Sequence, residues 1–162
     1  MTQTSVLAPV AGRAVLLENV PDPVFSAGMV GYGAAIDPPR GVIDAVAPVS
    51  GKVLKLMPHA YIVMTPDNVG VLVHLGLDTV GLNGEGFTAH VSQGDHVTAG
   101  QIVISYDVPA IESGGLNPIV PVVVMDERVP ENVTLSDAVA LGEDIDSGAC
   151  LFIAIQPRAQ KE

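Results

Sequence analysis

The chain has 162 residues and a mass of 16.7 kDa, the size of one domain that can bury a hydrophobic core. Apolar residues make up 48% and charged residues 15% of the chain, a composition that excludes an intrinsically disordered protein. The net charge of -11 would repel the phosphates of nucleic acids and anionic membranes, so we expect neither as a partner.

The N-terminal segment lacks the charged and apolar parts of a signal peptide. No apolar run reaches the ~18 residues that a membrane span requires. Cys150 is the single cysteine and has no partner for an intramolecular disulfide, which fits a reducing compartment. We therefore predict a cytoplasmic protein with no direct membrane insertion.

Short Val/Ile/Leu runs separated by 17 Gly and 13 Pro predict a succession of strands and turns. The predicted strands are Ser5–Pro9, Gly12–Leu17, Val42–Ala45, Gly51–Leu56, Ala60–Thr65, Val69–Leu75, His90–Val91, Gln101–Tyr106, Ile119–Val124 and Cys150–Ile155. The predicted helices have one or two turns each: Pro21–Ala27, Pro109–Ser113 and Leu135–Val139, the last preceded by Thr134 as a cap.

An internal repeat accompanies these elements. The sequence Ala8–Gly12 recurs as Ala47–Gly51, and each copy is followed by a basic residue and an apolar strand. The proline can begin a strand, and the glycine permits a bend where strands cross between sheets. We predict an all-β fold, an antiparallel sandwich or barrel built from two hybrid sheet units, with very short helices. A single domain is expected over residues 1–162, with its core at about 7–155.

Two histidines flank a predicted hairpin. Thr65–Asn68 has the composition of a type I turn, and β-rich runs precede and follow it. A hairpin symmetric about the centre of this turn pairs residues whose numbers add to 133, which places His59 opposite His74. Directly opposed residues share a face, with Cβ atoms ~4.5–5.5 Å apart. A shift of one residue would place the histidines on opposite faces.

A facing histidine pair has a chemical interpretation that a lone histidine lacks. A lone histidine in an apolar strand is more often structural than reactive. A partly buried imidazole near another imidazole tends to stay neutral and nucleophilic, because burial and the neighbouring charge both lower its pKa. The pair therefore indicates phosphoryl transfer or metal binding. In phosphoryl transfer, one ring would attack the phosphorus while the other held the oxygens.

The sequence around these histidines resembles the glucose-type IIA phosphocarrier family of the bacterial sugar phosphotransferase system. The resemblance runs from about Leu7 to Ile155. The segments that carry it are Leu7–Gly12, Val20–Phe25, Gly31–Ile36, Val46–Gly51, Val73–Val80, Leu82–Phe87 and Pro121–Val124. An ordered series of this kind is far more specific than a single motif.

The resemblance implies a phosphotransferase component that works as a phosphohistidine carrier in sugar transport. His74 would accept a phosphoryl group from the small carrier HPr and pass it to a cysteine in the IIB domain of a membrane sugar permease. His59 would be the supporting histidine. No metal or other cofactor is implied, and regulatory protein targets are further candidate partners.

The resemblance also assigns roles to residues around the pair. Val24 and Phe25 would belong to the apolar docking surface, Asp22 and Asp78 to its rim, and Gly76 would let the backbone approach the phosphate. Each has a structural alternative. Asp22 would cap a helix at its N-terminus, Asp78 would cap a turn, Val24 and Phe25 would lie in the core, and Gly76 would form a bulge.

Two methionines depart from the family pattern. Met57 stands where the family commonly has a threonine, two residues before the supporting histidine. Met64 replaces an acidic rim residue found in some members. His90 and His96 match no functional position, so we expect solvent-facing loop residues there.

Two other functions are alternatives. A zinc-dependent peptidase of a related β-rich fold usually needs three protein ligands, and its His-x-His motif is absent, since His74 is followed by leucine and glycine. A biotinyl- or lipoyl-type carrier module needs a lysine at a hairpin tip. Lys52, Lys55 and Lys161 are the only lysines, and none lies convincingly between matching strand ends.

Overall fold

The computed structural model describes residues 2–156, which form 14 strands and three short α-helices. The strands are β1 (Thr2–Leu7), β2 (Gly12–Leu16), β3 (Gly31–Asp37), β4 (Val42–Val46), β5 (Gly51–Met57), β6 (Ala60–Met64), β7 (Gly70–His74), β8 (Phe87–Ala89), β9 (His96–Val97), β10 (Ile102–Asp107), β11 (Val120–Met125), β12 (Val133–Leu135), β13 (Asp144–Ile145) and β14 (Cys150–Gln156). The helices are α1 (Pro23–Ser26), α2 (Val108–Ser113) and α3 (Asp137–Leu141), with 3-10 turns at Leu17–Asn19, Thr79–Leu82 and Pro130–Asn132. No helix within residues 2–156 is long and apolar enough to cross a membrane.

The strands form three antiparallel sheets around a common core. The largest has the order β13-β2-β3-β11-β7-β6-β5-β9, and the smaller two have the orders β1-β14-β12 and β4-β10-β8. The main core takes buried side chains from all three sheets, including Tyr61, Tyr106 and Phe152. The predicted all-β antiparallel fold with very short helices is therefore confirmed.

The other face of the large sheet carries a second, smaller apolar cluster. Side chains alternate along a strand, so Val122 and Val124 of β11 point into the main core while Val123 points the opposite way. We call this side of β3, β11, β7, β6 and β5 the outer face. Buried residues from the 3-10 turn at 17–19 and from α1, Leu17 and Phe25, cover part of it.

The internal repeat predicted from the sequence corresponds to two related halves. The Leu7 N–H donates to the Pro48 carbonyl at 2.9 Å, and the Val46 N–H donates to the Pro9 carbonyl at 2.9 Å, so each repeat binds the other reciprocally. The strands that follow the two copies, β2 and β5, have equivalent neighbours. Each pairs with a two-residue strand, β2 with β13 and β5 with β9.

β3, which lies between β2 and β11, was not predicted from the sequence. Glycine and alanine disfavour strands, and they make up most of its first five residues. A β-carbon at Gly31 or Gly33 would overlap the carbonyl oxygens of Val124 or Val122 in β11. These glycines lower the strand propensity of the segment, which is why it was not predicted as a strand. The same glycines allow it to approach the neighbouring strand closely.

Shorter elements also differ from the prediction. The strand predicted at 90–91 lies earlier, at β8, and the short strands β9, β12 and β13 were not predicted. The helix predicted at 135–139 begins instead at Asp137, because Thr134 belongs to β12 and does not act as its cap.

The register predicted for the hairpin of β6 and β7 is wrong by one residue. Asn68 adopts a left-handed conformation with φ of 65°, and its N–H donates to the Thr65 carbonyl at 2.9 Å. The loop therefore contains one more residue than a symmetric two-residue turn. Paired residue numbers add to 134, so His74 lies opposite Ala60 and not opposite His59.

Two buried tyrosines allow a matched test of the core. The Tyr61 hydroxyl donates to the Val46 carbonyl at 2.7 Å, whereas the buried Tyr106 hydroxyl has no hydrogen-bond partner within the described residues. We expect Tyr61→Phe to lower the free energy of unfolding by about 1–2 kcal/mol. Tyr106→Phe should leave it unchanged or raise it, because that change removes an unpaired buried hydroxyl. Urea unfolding of both variants measures the difference, and equal losses would contradict this assignment.

Candidate functional site

His59 and His74 meet on the outer face. Their ring centroids are 5.0 Å apart and the ring planes are inclined by 73°. His74 is the last residue of β7, while His59 lies in the two-residue connection between β5 and β6. The Leu75 N–H donates to the His59 carbonyl at 2.8 Å and fixes this connection beside β7. The two imidazole rings lie close together although the predicted register is wrong. His59 lies in a turn, where side chains do not have to alternate between the two faces of the sheet.

A short backbone contact determines the tautomer of His74. Its Nδ1 lies 2.6 Å from the carbonyl oxygen of Gly76. A carbonyl oxygen only accepts hydrogen bonds, so Nδ1 carries a proton and donates it to this contact. When the ring is neutral, Nε2 therefore holds the free lone pair and is the nucleophilic nitrogen of His74.

The loop after β7 is built to hold this carbonyl in place. Gly76 has φ of +88°, and a β-carbon there would lie 2.7 Å from Cγ2 of Thr79. The buried Thr79 hydroxyl donates to the Leu75 carbonyl at 2.9 Å, and the Leu77 N–H donates to the Asn117 carbonyl at 2.8 Å. From the sequence, Gly76 was predicted to let the backbone approach a phosphate. Its contact with His74 and the supporting contacts of Thr79 and Asn117 were not predicted.

The opposite side of His74 is covered by α1. The Phe25 ring is buried, with its centroid 5.3 Å from that of His74 and the planes inclined by 58°. Asp22 caps the helix, since its Oδ1 accepts the Val24 N–H at 3.0 Å. Val24 itself is 45% exposed. Phe25 thus forms a wall against the imidazole, while Val24 presents an apolar side chain to solvent.

Burial and nearby charge act against each other at the histidines. Burial lowers the pKa of His74, while the Gly76 carbonyl and the carboxylates of Asp22 and Asp78 favour the protonated ring and oppose that decrease. Burial also lowers the pKa of His59, and the positive charge of a protonated His74 lowers it further. Both rings therefore favour the neutral form at pH values where an exposed histidine is already partly charged.

Asp78 occupies an exposed position at the start of the 3-10 turn at 79–82. Its φ of 60° is left-handed, and its side chain makes no capping hydrogen bond to that turn. The turn-cap alternative therefore does not account for its carboxylate. Together with Asp22, it contributes negative charge that acts on His74.

Met57 and Met64 also lie on the outer face. Met57 pairs with Ala60 and packs partly buried against the smaller apolar cluster, and Met64 pairs with Gly70. The thioether of Met57 thus stands two residues before His59, at a position where the family commonly has the hydroxyl of a threonine.

The other two histidines are exposed, as predicted. His90 follows β8, and its Nε2 lies 2.7 Å from the Ser105 hydroxyl on β10. His96 belongs to the short strand β9 and not to a loop.

In the part of the chain that the structure describes, the features needed by the two alternative functions do not come together. Within residues 2–156, no group of three His, Cys, Asp or Glu side chains is arranged to hold a metal ion. Lys52 and Lys55 lie inside β5 and not at a hairpin tip, and Lys161 lies outside the described residues.

Comparison with known proteins identifies the family. Residues 4–129 match the family described as phosphoenolpyruvate-dependent sugar phosphotransferase system, EIIA 1. The chain is 39% identical over 143 residues to the PTS system glucose-specific EIIA component of Oceanobacillus iheyensis, covering 85% of this chain and 86% of that protein. The Bacillus cereus component is 39% identical over 140 residues, covering 85% and 84%.

A solved structure agrees with these relatives. The glucose permease IIA from Mycoplasma capricolum superposes with a TM-score of 0.83 at 31% identity, covering 94% of this chain and 96% of that one. The fold, the sequence relatives and the family match agree. The chain therefore belongs to the EIIA 1 family of the phosphoenolpyruvate-dependent sugar phosphotransferase system, as a glucose-type IIA component with a phosphocarrier role.

Proposed function

We propose that His74 is the phosphoryl acceptor of this carrier, receiving the group from phosphohistidine on HPr and passing it to a cysteine of a permease IIB domain in the cytoplasm. The observation that carries the proposal is the 2.6 Å contact between His74 Nδ1 and the Gly76 carbonyl, which leaves Nε2 unprotonated in the neutral ring. A neutral, oriented imidazole is the form that a nucleophile requires.

The transfer needs no proton to move. The Nε2 lone pair attacks the phosphorus, the bond between phosphorus and the donor imidazole breaks, and its electron pair returns to the donor nitrogen. The His74 ring keeps its Nδ1 proton and becomes positively charged. The Gly76 carbonyl and the carboxylates of Asp22 and Asp78, which favour a cationic ring, stabilise that charge. Attack by a cysteine thiolate of the IIB domain then returns the ring to its neutral state.

His59 acts as the supporting group. Its ring centroid is 5.0 Å from that of His74, and the residue is only 8% exposed. A neutral imidazole in this position donates one N–H to an oxygen of the transferred group. The surrounding apolar wall, formed by Phe25 and Ala60, limits the access of water and slows hydrolysis of the phosphohistidine.

The charge pattern fits two partners that dock in turn. Asp22 and Asp78 carry negative charge beside an apolar centre that includes the exposed Val24, and the whole chain has a net charge of -11. Such a field attracts a partner with a basic docking surface and accelerates its encounter. Because donor and acceptor must reach the same Nε2, each complex has to be transient.

The labelling experiment uses phosphoenolpyruvate, the general phosphotransferase enzyme and HPr. We expect the intact protein to gain one acid-labile phosphate by mass spectrometry, His74→Ala to gain none, and His59→Ala to accept phosphate but deliver it poorly to the IIB domain. His96→Ala is the matched control, since His96 is exposed on β9, and should behave as the unaltered protein. Labelling that survives loss of His74, or depends on His59 alone, would overturn the assignment.

Docking is tested with two exposed valines. Val24→Asp places a carboxylate on the apolar docking centre and should raise the KM for phospho-HPr by about tenfold, with little change in kcat. Val42, which is 71% exposed on β4 of a smaller sheet, provides the control. Initial rates of labelling at several HPr concentrations measure both values. Equal effects of Val24→Asp and Val42→Asp would refute a specific docking role for Val24.

A further inference from the structure

Methionines are concentrated on the face that carries the histidines. The chain has five, and Met57, Met64 and Met125 all lie on the strands of the outer face. Pairing fixes their orientation: Ala60 lies opposite both Met57 and His74, and Met64 follows Ala60 by four residues on the same side. Met125 follows Val123 by two residues and packs against the same smaller cluster.

Met64 and Met125 approach each other over Gly70, a position of β7 that has no side chain. Gly70 has no side chain, and a β-carbon there would lie 3.3 Å from the Met64 methyl, 3.8 Å from Cγ2 of Ile62 and 3.8 Å from Cβ of Met125. The two methionines therefore lie on either side of Gly70 and cover it. All three methionine residues are partly exposed.

The three methionines fall within the area that a partner centred on His74 would cover. Gly70 precedes His74 by four residues on the same strand face, a separation of about 13 Å. Met57 lies two strands from His74, or about 10 Å. A typical interface covers about 800 Å² on each partner, equivalent to a disc of roughly 16 Å radius. Each methionine would therefore contact or border the docked partner.

We propose that Met57, Met64 and Met125 form a reversible oxidation site through which hydrogen peroxide weakens docking of the phosphoryl donor. The peroxide transfers one oxygen atom to the thioether sulfur, its O–O bond breaks, and water is released. The sulfur is oxidised by two electrons to a sulfoxide and the peroxide is reduced. Methionine sulfoxide reductases reverse this modification. The inference rests on the proposed function, because it concerns the docking surface of that reaction.

The consequence follows from the change in polarity. Methionine is a flexible apolar side chain that adapts to more than one partner, whereas its sulfoxide is polar and must be desolvated when the interface forms. We expect the KM for phospho-HPr to rise by about tenfold. The Nδ1 contact of His74 with Gly76 does not involve these sulfur atoms, so the acceptor itself should remain intact.

The test compares two phosphoryl donors before and after peroxide treatment. Peptide mass mapping should find one added oxygen at each of the three methionines in the folded protein. Labelling through HPr should then be impaired, while labelling by the small donor phosphoramidate, which needs no docking surface, should be unchanged. Treatment with methionine sulfoxide reductases should restore the rate with HPr.

Variants connect the effect to these residues. Leucine retains the apolar volume without the sulfur, so the triple variant Met57→Leu, Met64→Leu, Met125→Leu should resist peroxide. Met29→Leu is the control: Met29 is 61% exposed outside the strands, and this variant should stay sensitive. Met64→Gln introduces a polar side chain of similar length and should raise the KM for phospho-HPr without any peroxide. This single variant tests the proposal even if the triple variant does not fold.

The outcomes separate this inference from the proposed function. If the untreated protein accepts no phosphate from HPr, both fail. If it is labelled normally but the three methionines resist oxidation, or their sulfoxides leave the KM unchanged, only the oxidation site is refuted. Equal loss of labelling with HPr and with phosphoramidate would also refute it, because damage to the acceptor and not to docking would be the cause.

Discussion

The hydrogen bond from His74 Nδ1 to the Gly76 carbonyl is the interaction on which the chemistry proposed for this molecule depends. It is 2.6 Å long and joins the last residue of β7 to the loop that follows. Gly76 in this loop adopts φ of +88°, where a β-carbon would lie 2.7 Å from Cγ2 of Thr79. Backbone contacts to the segment before β11 hold the loop from its other side. The residues of this loop thus hold the Gly76 carbonyl oxygen against Nδ1 of His74.

The surroundings of that nitrogen balance two requirements. A nucleophile must be neutral before transfer, and burial against Phe25 and the apolar cluster favours the neutral ring of His74. In the proposed transfer the ring becomes cationic, and the Gly76 carbonyl with the carboxylates of Asp22 and Asp78 favours that form. In the proposed function the same carboxylates border the docking surface, so one pair of charges would contribute both to the chemistry and to recognition.

Sequence patterns predicted the fold where β-branched runs were long, and failed where backbone geometry overrode propensity. β3 was missed because Gly33 is a poor strand former that is nevertheless required for close approach to β11. The register of β6 and β7 was missed because Asn68 adds a left-handed residue to the turn. The two histidines were predicted to lie close together, and they do, but not as directly opposed strand residues. His74 lies opposite Ala60, and His59 approaches it from a turn. The contact of the Gly76 carbonyl with His74 is made by the backbone, so the pattern of side chains does not predict it. The sequence shows only a glycine two residues after a histidine.

The most direct test of this account is nitrogen-15 NMR of the imidazole rings, with and without the phosphate. We predict that His74 titrates below the ordinary histidine pKa of about 6.5, that its neutral form carries the proton on Nδ1, and that the phosphorylated protein shows phosphorus coupled to Nε2. A neutral ring protonated on Nε2, or phosphorus bound to Nδ1, would contradict the role assigned to the Gly76 carbonyl.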